Sequence, residues 1–282
     1  MERPTRKIDR ILLRTIVASL IVGLVSSTIS LPYKQIAFAH TFTGDESASF
    51  MSLIKLLQAE ESLVQTNLAS NKTLAQDHAK AVVDEVNANH TFGVLPDEVS
   101  ENNKRVATDV VHTADALQTA VKSASPNPSD VVAKINNLNA TLQEAVAVRL
   151  PQDAAKNFTI NLIGTKNLIN ETLRQYGYSY GTANSHQVKT NSSTNSSGTN
   201  ILNMSAYQTA KSLTSQAQDM FNQAKSLVPS NATSVTKTDL MKVASDLSQL
   251  KNFVDTKSPY QKVATLVQNS VYPDINKAIG MK

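Results

Sequence analysis

Pro128-Ser129-Asp130-Val131-Val132-Ala133-Lys134-Ile135-Asn136-Asn137-Leu138-Asn139-Ala140-Thr141-Leu142-Gln143-Glu144-Ala145-Val146 sets the fold class. Val131, Ile135, Leu138, Leu142 and Val146 recur every three or four residues, which places them on one face of an α-helix. Proline at the first turn lacks only an N–H that would have no helical partner there, and Asp130 favours the positive end of the helix dipole. The next proline, Pro151, closes the run. The same punctuation recurs along the chain. Pro96, Pro126, Pro128, Pro151, Pro229, Pro259 and Pro273 all stand where an apolar periodicity starts or stops. Strand-like alternation of β-branched residues is absent. These features predict an all-α helical bundle.

The remaining helices follow from the same period. The first spans about Ser47 to Ala69, with Phe50, Ile54, Leu57, Val64 and Leu68 inward and Glu60-Glu61 as a charged outer face. A break at Ser70-Asn71 leads to a second, carrying Leu74, His78, Val82 and Val86, with His78 on its apolar stripe. Pro96-Asp97-Glu98 opens a third, bearing Val106, Val110, Leu117 and Val121. Pro128 opens the fourth, and Pro151 a fifth with Phe158, Leu162, Ile169, Leu173 and Tyr176. Residues 40–177 are thus expected to form a five-helix bundle. Residues 178–202 are rich in Ser, Thr, Asn and Gly, and cannot bury enough apolar surface to offset ordering entropy; they are expected to be a disordered linker. Residues 203–282 are expected to form a three-helix bundle, with a kink at Pro273.

The first 39 residues differ in kind. Arg3, Arg6, Lys7 and Arg10 precede an uncharged run from Thr15 to Leu31, and Ala37-Phe38-Ala39 places small residues at −3 and −1 before His40. This is the pattern of a secretory leader, or of a signal-anchor crossing the membrane through residues 11–31 if it is retained. It also carries the net charge of +4. Residues 1–39 hold six basic and two acidic side chains, and the other 243 residues hold 21 of each. The body therefore has no electrostatic footprint for nucleic acid. The expected location is extracytoplasmic, with envelope proteins or a second copy of the chain as partners.

The chain has no cysteine, which excludes thiol nucleophiles, cysteine-ligated zinc and iron–sulfur clusters. With no H-E-x-x-H helix and no Gly-rich phosphate loop after a strand, the reading is non-catalytic. The aromatic run Tyr176-Gly177-Tyr178-Ser179-Tyr180 reads as a helix end fraying into the linker. Asp109-x-x-His112-x-x-Asp115 shares one helix face, a spacing that can contribute metal ligands but reads here as a solvated flank. A leader cut after Ala39 would leave His40 with a free α-amine beside its imidazole. That pair can chelate copper(II), with His78, His90, His112 or His186 as a third ligand. This defines an alternative reading, an extracytoplasmic copper-binding protein. Sequons for N-glycosylation occur at Asn71, Asn89, Asn139, Asn157, Asn170, Asn191, Asn195, Asn203 and Asn231.

His40-Thr41-Phe42-Thr43-Gly44-Asp45-Glu46-Ser47-Ala48-Ser49-Phe50, followed by Leu63-Val64-Gln65-Thr66-Asn67-Leu68-Ala69, resembles exported helical proteins of ammonia-oxidising archaea. The resemblance covers residues 35–122 and contains no catalytic motif. It implies an archaeal envelope, glycosylation outside the cell and a copper-rich setting, and it gives no residue a role.

Overall fold

The computed structural model describes residues 44–182, 200–228, 230 and 234–280, with side chains from 237 in the last stretch. The expected leader, His40, His186 and the sequons at Asn191, Asn195 and Asn231 lie outside the described residues. The fold is all-α. Its helices are α1 (Gly44–Asn67), α2 (Lys72–Val86), α3 (Leu95–Ser100), α4 (Lys104–Lys122), α5 (Pro128–Arg149), α6 (Phe158–Ser179), α7 (Met204–Ser226), α8 (Ser234–Asp255), α9 (Tyr260–Leu266) and α10 (Tyr272–Ile279). A minimal antiparallel ribbon, β1 (Asn89–His90) with β2 (Gly93–Val94), links α2 to α3.

Asparagine starts half of these helices. Asn71, Asn103, Asn127, Asn157 and Asn203 each accept a backbone N–H of the first turn on the side-chain oxygen. This satisfies one of the donors that a helix leaves unpaired at its start. The caps move two expected boundaries. Asn103 begins a new helix after α3 ends, so Pro96 opens only a six-residue helix and the stripe from Val106 belongs to α4. Pro151 precedes a single 3₁₀ turn, Ala154–Lys156, and Asn157 opens α6. Asn157→Ala is expected to lower stability by about 1 kcal/mol, measured as a shift in the urea midpoint at unchanged slope.

The expected kink at Pro273 takes another form. Between α9 and α10 the helix widens into a π turn over Val267–Val271. Proline has no N–H for the carbonyl four residues back and its ring crowds that carbonyl. The π turn one residue ahead of α10 relieves both problems, and the helix continues to Ile279.

The division into two bundles does not hold. The helices before and after the expected linker belong to one compact unit with one apolar core, from Phe50 to Ala278. The reason lies in α1, which buries Ala48, Phe50, Leu53, Ile54, Leu56, Leu57, Ala59 and Val64 around most of its circumference. Helices α2 and α5 cover part of it, and α6 and α7 cover the rest. Helices α6 and α7 form the most extensive pair, and α8 to α10 extend the core beyond them. The linker's described ends are ordered. Tyr178 and Ser179 are helical, and the backbone N–H groups of Leu202 (2.8 Å) and Asn203 (3.2 Å) donate to the Ser179 carbonyl.

Gly164 permits the close approach of α6. A β-carbon built there would overlap the Met220 side chain of α7 and lie 3.4 Å from Ser52 Oγ of α1. Ser52 uses this proximity, donating to the Gly164 carbonyl at 3.1 Å. Glycine in a helix interior costs about 1 kcal/mol relative to alanine. Its presence here reflects the space it leaves. Gly164→Val is expected to lower stability by about 2–3 kcal/mol, read from urea unfolding, because α1 and α7 must both give way.

Tyr176 and Tyr180 anchor the junction to α8. The Tyr176 hydroxyl donates to the Ser258 carbonyl at 2.6 Å, Tyr180 to Lys257 at 2.9 Å, and Tyr207 of α7 to Val254 at 3.0 Å. These are carbonyls at and just beyond the end of α8, where intrahelical donors run out. The aromatic run is thus a packed, hydrogen-bonded helix end, and the expected fraying is not observed; Tyr176 is wholly buried.

Candidate functional site

Glu60 and Glu61, expected on a charged outer face, are both buried, at 2% and 1% exposure. Adjacent residues point about 100° apart on a helix. Both can be enclosed only because α1 is covered on several sides. Each acid heads a separate polar cluster.

Glu60 lies between α2 and α7. His78 Nδ1 approaches Glu60 Oε2 at 2.6 Å, and Thr209 Oγ1 donates to Glu60 Oε1 at 2.7 Å. His78 Nε2 faces Gln208 Oε1 at 2.9 Å. The orientation of that amide follows from its neighbours. Asn67 Nδ2 donates to the Leu63 carbonyl at 2.8 Å, which fixes the Asn67 side chain. The same Nδ2 then donates to Gln208 Oε1 at 2.9 Å, and Gln208 Nε2 donates back to Asn67 Oδ1 at 3.1 Å. Gln208 therefore presents an acceptor to His78, as Glu60 does, and both imidazole nitrogens carry protons. Burial pushes the imidazolium towards losing its proton. The hydrogen bond and charge of Glu60, with the Gln208 contact, outweigh this and hold His78 above its ordinary value.

Glu61 points to α5. Asn139 Nδ2 donates to Glu61 Oε2, and Gln58 Nε2 donates to Asn139 Oδ1 at 3.3 Å. Glu61 Oε1 is buried without a partner. Burial pushes this carboxyl up to about 8, and the Asn139 contact only partly opposes it. Glu61 is a neutral acid at pH 7.

Above Glu60 a cleft of about 260 Å³ opens between α2, α6 and α7. Ala81, Gln175, Tyr178, Ser205 and Thr209 form its walls, and Glu60 contributes its charged side chain. Behind Gln175, Arg174 forms a two-pronged ion pair with Glu171 and lies 3.6 Å from Glu85. Burial and the charge of Glu171 push Glu85 up to about 7, with Arg174 opposing.

The residues singled out in the sequence are dispersed. His78 is enclosed with both nitrogens engaged. His90 stacks on Phe92 at 5.4 Å and its Nε2 lies 2.8 Å from the Glu85 carbonyl, while His112 is exposed on α4. Asp109 pairs with Arg105 at 2.6 Å, which also meets Glu144. Among the described residues no three His, Asp or Glu side chains gather as metal ligands.

Two serine patterns also occur, Gly177-x-Ser179-x-Gly181 and S-x-x-K, the latter at Ser52-x-x-Lys55, Ser234-x-x-Lys237 and Ser248-x-x-Lys251. Ser179, Ser52 and Ser248 do not have the setting of a nucleophile, and Ser248 donates to the Ala244 carbonyl at 2.9 Å within α8. Ser179 ends a helix, is buried, and donates to the Tyr176 carbonyl at 2.7 Å; a nucleophile elbow requires a strand-to-helix turn. Ser52 donates to the Ala48 carbonyl at 2.7 Å inside α1.

Of the sequons, Asn71, Asn157 and Asn203 are exposed helix caps. Asn89 and Asn170 are also exposed, and Asn170 Oδ1 accepts from Tyr272 at 3.3 Å. Asn139 differs, because its Nδ2 is engaged with Glu61 and with the Ile135 carbonyl. No helix among the described residues is long and apolar enough to cross a membrane. No family model matches the chain, and no curated protein or solved structure is similar to it.

Proposed function

We propose that the protein is exported to an archaeal envelope or cell surface and acts there by binding or scaffolding, without catalysis. The observation that carries this reading is the Glu60–His78 pair, whose imidazole is enclosed. It has the residue types of an acid–base dyad, yet His78 has no exposed surface and both its protons are held by fixed acceptors. A general base must reach the proton it removes. The pair instead ties α1, α2 and α7 together, as a rigid helical support requires.

The sequon caps support the export half of the reading. A cap uses the asparagine oxygen, and a glycan attaches through the nitrogen. Asn71, Asn157 and Asn203 can therefore carry sugar and cap their helices together. The test is fractionation of native cells followed by intact and N-terminal peptide mass spectrometry. A chain in the envelope fraction that starts at His40 and carries glycan mass at these caps is the expected result. An unmodified chain starting at Met1 in the cytoplasmic fraction would sink the proposal.

A further inference from the structure

The cleft above Glu60 has a chemistry that narrows what it can hold. Each Glu60 oxygen accepts one hydrogen bond, from His78 or Thr209, and a carboxylate oxygen has about two acceptor positions. Gln175 Nε2 donates to Glu171 Oε1 at 2.8 Å, which turns the Gln175 carbonyl oxygen away from Glu171 and leaves it as an acceptor in the wall. Ser205, Thr209 and Tyr178, whose hydroxyl accepts from Arg174 Nη1 at 3.4 Å, complete a polar lining. Among the described residues, no lysine, arginine or histidine lines the cleft. Arg174, the nearby cation, is held by Glu171 and covers the Tyr178 ring at 5.2 Å.

We propose that this cleft is a binding site for a small organic ammonium ion, held by the Glu60 carboxylate and the Gln175 carbonyl oxygen. An anion would meet the acceptor oxygens of Glu60 with no cation among the described lining residues, since the imidazolium of His78 is itself enclosed. A purely apolar ligand would leave the second acceptor position of each Glu60 oxygen and the Gln175 carbonyl unused, a loss of the kind that binding sites built from polar groups discriminate against. An ammonium group supplies three donors to these acceptors. Beside Gln175, Glu85 and Glu171 share the single cation Arg174. The volume admits roughly eight to ten heavy atoms, which suits a short mono- or diamine.

This inference rests on the reading of the protein as a binder, and it names the ligand class of one site. The test is isothermal titration of the full chain with 1,4-diaminobutane, and with erythritol as a neutral four-carbon control. Saturable binding of the diamine at submillimolar concentration is expected, with none for erythritol. Gln175→Leu, on a half-buried wall position, should weaken the diamine about tenfold at an unchanged thermal midpoint. Glu60→Gln should abolish binding, and the wall variant keeps the test sharp if Glu60→Gln fails to fold. No saturable heat at about 10 mM diamine, equal binding of erythritol, or wild-type affinity in Gln175→Leu would each overturn the assignment. If the diamine fails while cross-linking in native envelopes still captures specific partners, the ligand assignment falls and the binding function stands.

Discussion

His78→Ala lowers the stability of the fold by about 3–5 kcal/mol near pH 6, the largest effect expected of a single substitution here. The variant leaves Glu60 in a site with 2% exposure, facing a void in place of an imidazolium, and leaves Gln208 Oε1 with one donor fewer. Most of the loss is the penalty of a buried charge without its partner, to which the emptied volume adds. Its origin is testable. If the loss comes from the orphaned carboxylate, removing that as well should restore stability, and His78→Leu with Glu60→Met should be clearly more stable than His78→Ala. A double variant no better than the single would show that packing alone is responsible. The pH dependence gives a second check. His78 is held above 6.5 in the folded chain, so its stabilisation is complete below pH 6.5 and is lost as pH rises through the folded value. The gap in urea midpoint between wild type and His78→Ala should therefore narrow from pH 6 towards alkaline pH.

Sequence and structure agree where local rules decide the outcome. Pro128 opens α5 and its stripe of Val131, Ile135, Leu138 and Leu142 is buried, because proline and period act within a few residues. The asparagine caps are also local, but at Asn71, Asn157 and Asn203 one side chain satisfies two patterns, and only the sequon was read. The errors concern what covers what. Glu60-Glu61 follows a stretch from Ser47 to Ala59 in which Lys55 is the one charged residue. That depletion marks α1 as central, and the one-sided stripe conceals it. Thr209 and Gln208 could not be joined to Glu60 and His78 from spacing, since they lie 149 and 130 residues away. The polar segment after Tyr180 suggested a domain boundary because its composition cannot form a core. Composition says nothing of where the ends of such a segment lie, and here Leu202 and Asn203 return to Ser179. The cleft inherits the same difficulty, since its walls come from α2, α6 and α7, and its charged side chain from α1.

Glu61→Gln is expected to make the protein more stable at pH 9 by about 2–3 kcal/mol while leaving it nearly unchanged at pH 4. The carboxyl is pushed from 4.5 to about 8 by burial. Below pH 4.5 the folded and unfolded chains both hold this proton and the group is neutral in each. Between pH 4.5 and 8 the unfolded chain releases it and the folded chain keeps it, so stability falls with rising pH. Such a displacement corresponds to about 5 kcal/mol at its upper limit. Glutamine removes the titration and keeps the shape, and its oxygen can accept the Asn139 donor that Glu61 Oε2 accepts now. Its amide nitrogen would replace Oε1, which is buried without a partner, so an unpaired polar group is present in both proteins and cancels in the difference. Glu85 and His78 titrate in the same direction in the wild type, but they are present in both proteins and cancel in the difference. Urea midpoints from pH 4 to 9 should diverge above pH 4.5, where His78 has not begun to lose its proton. Parallel profiles across that range would mean that Glu61 keeps an ordinary acidity, and that α1 is open to water at this position.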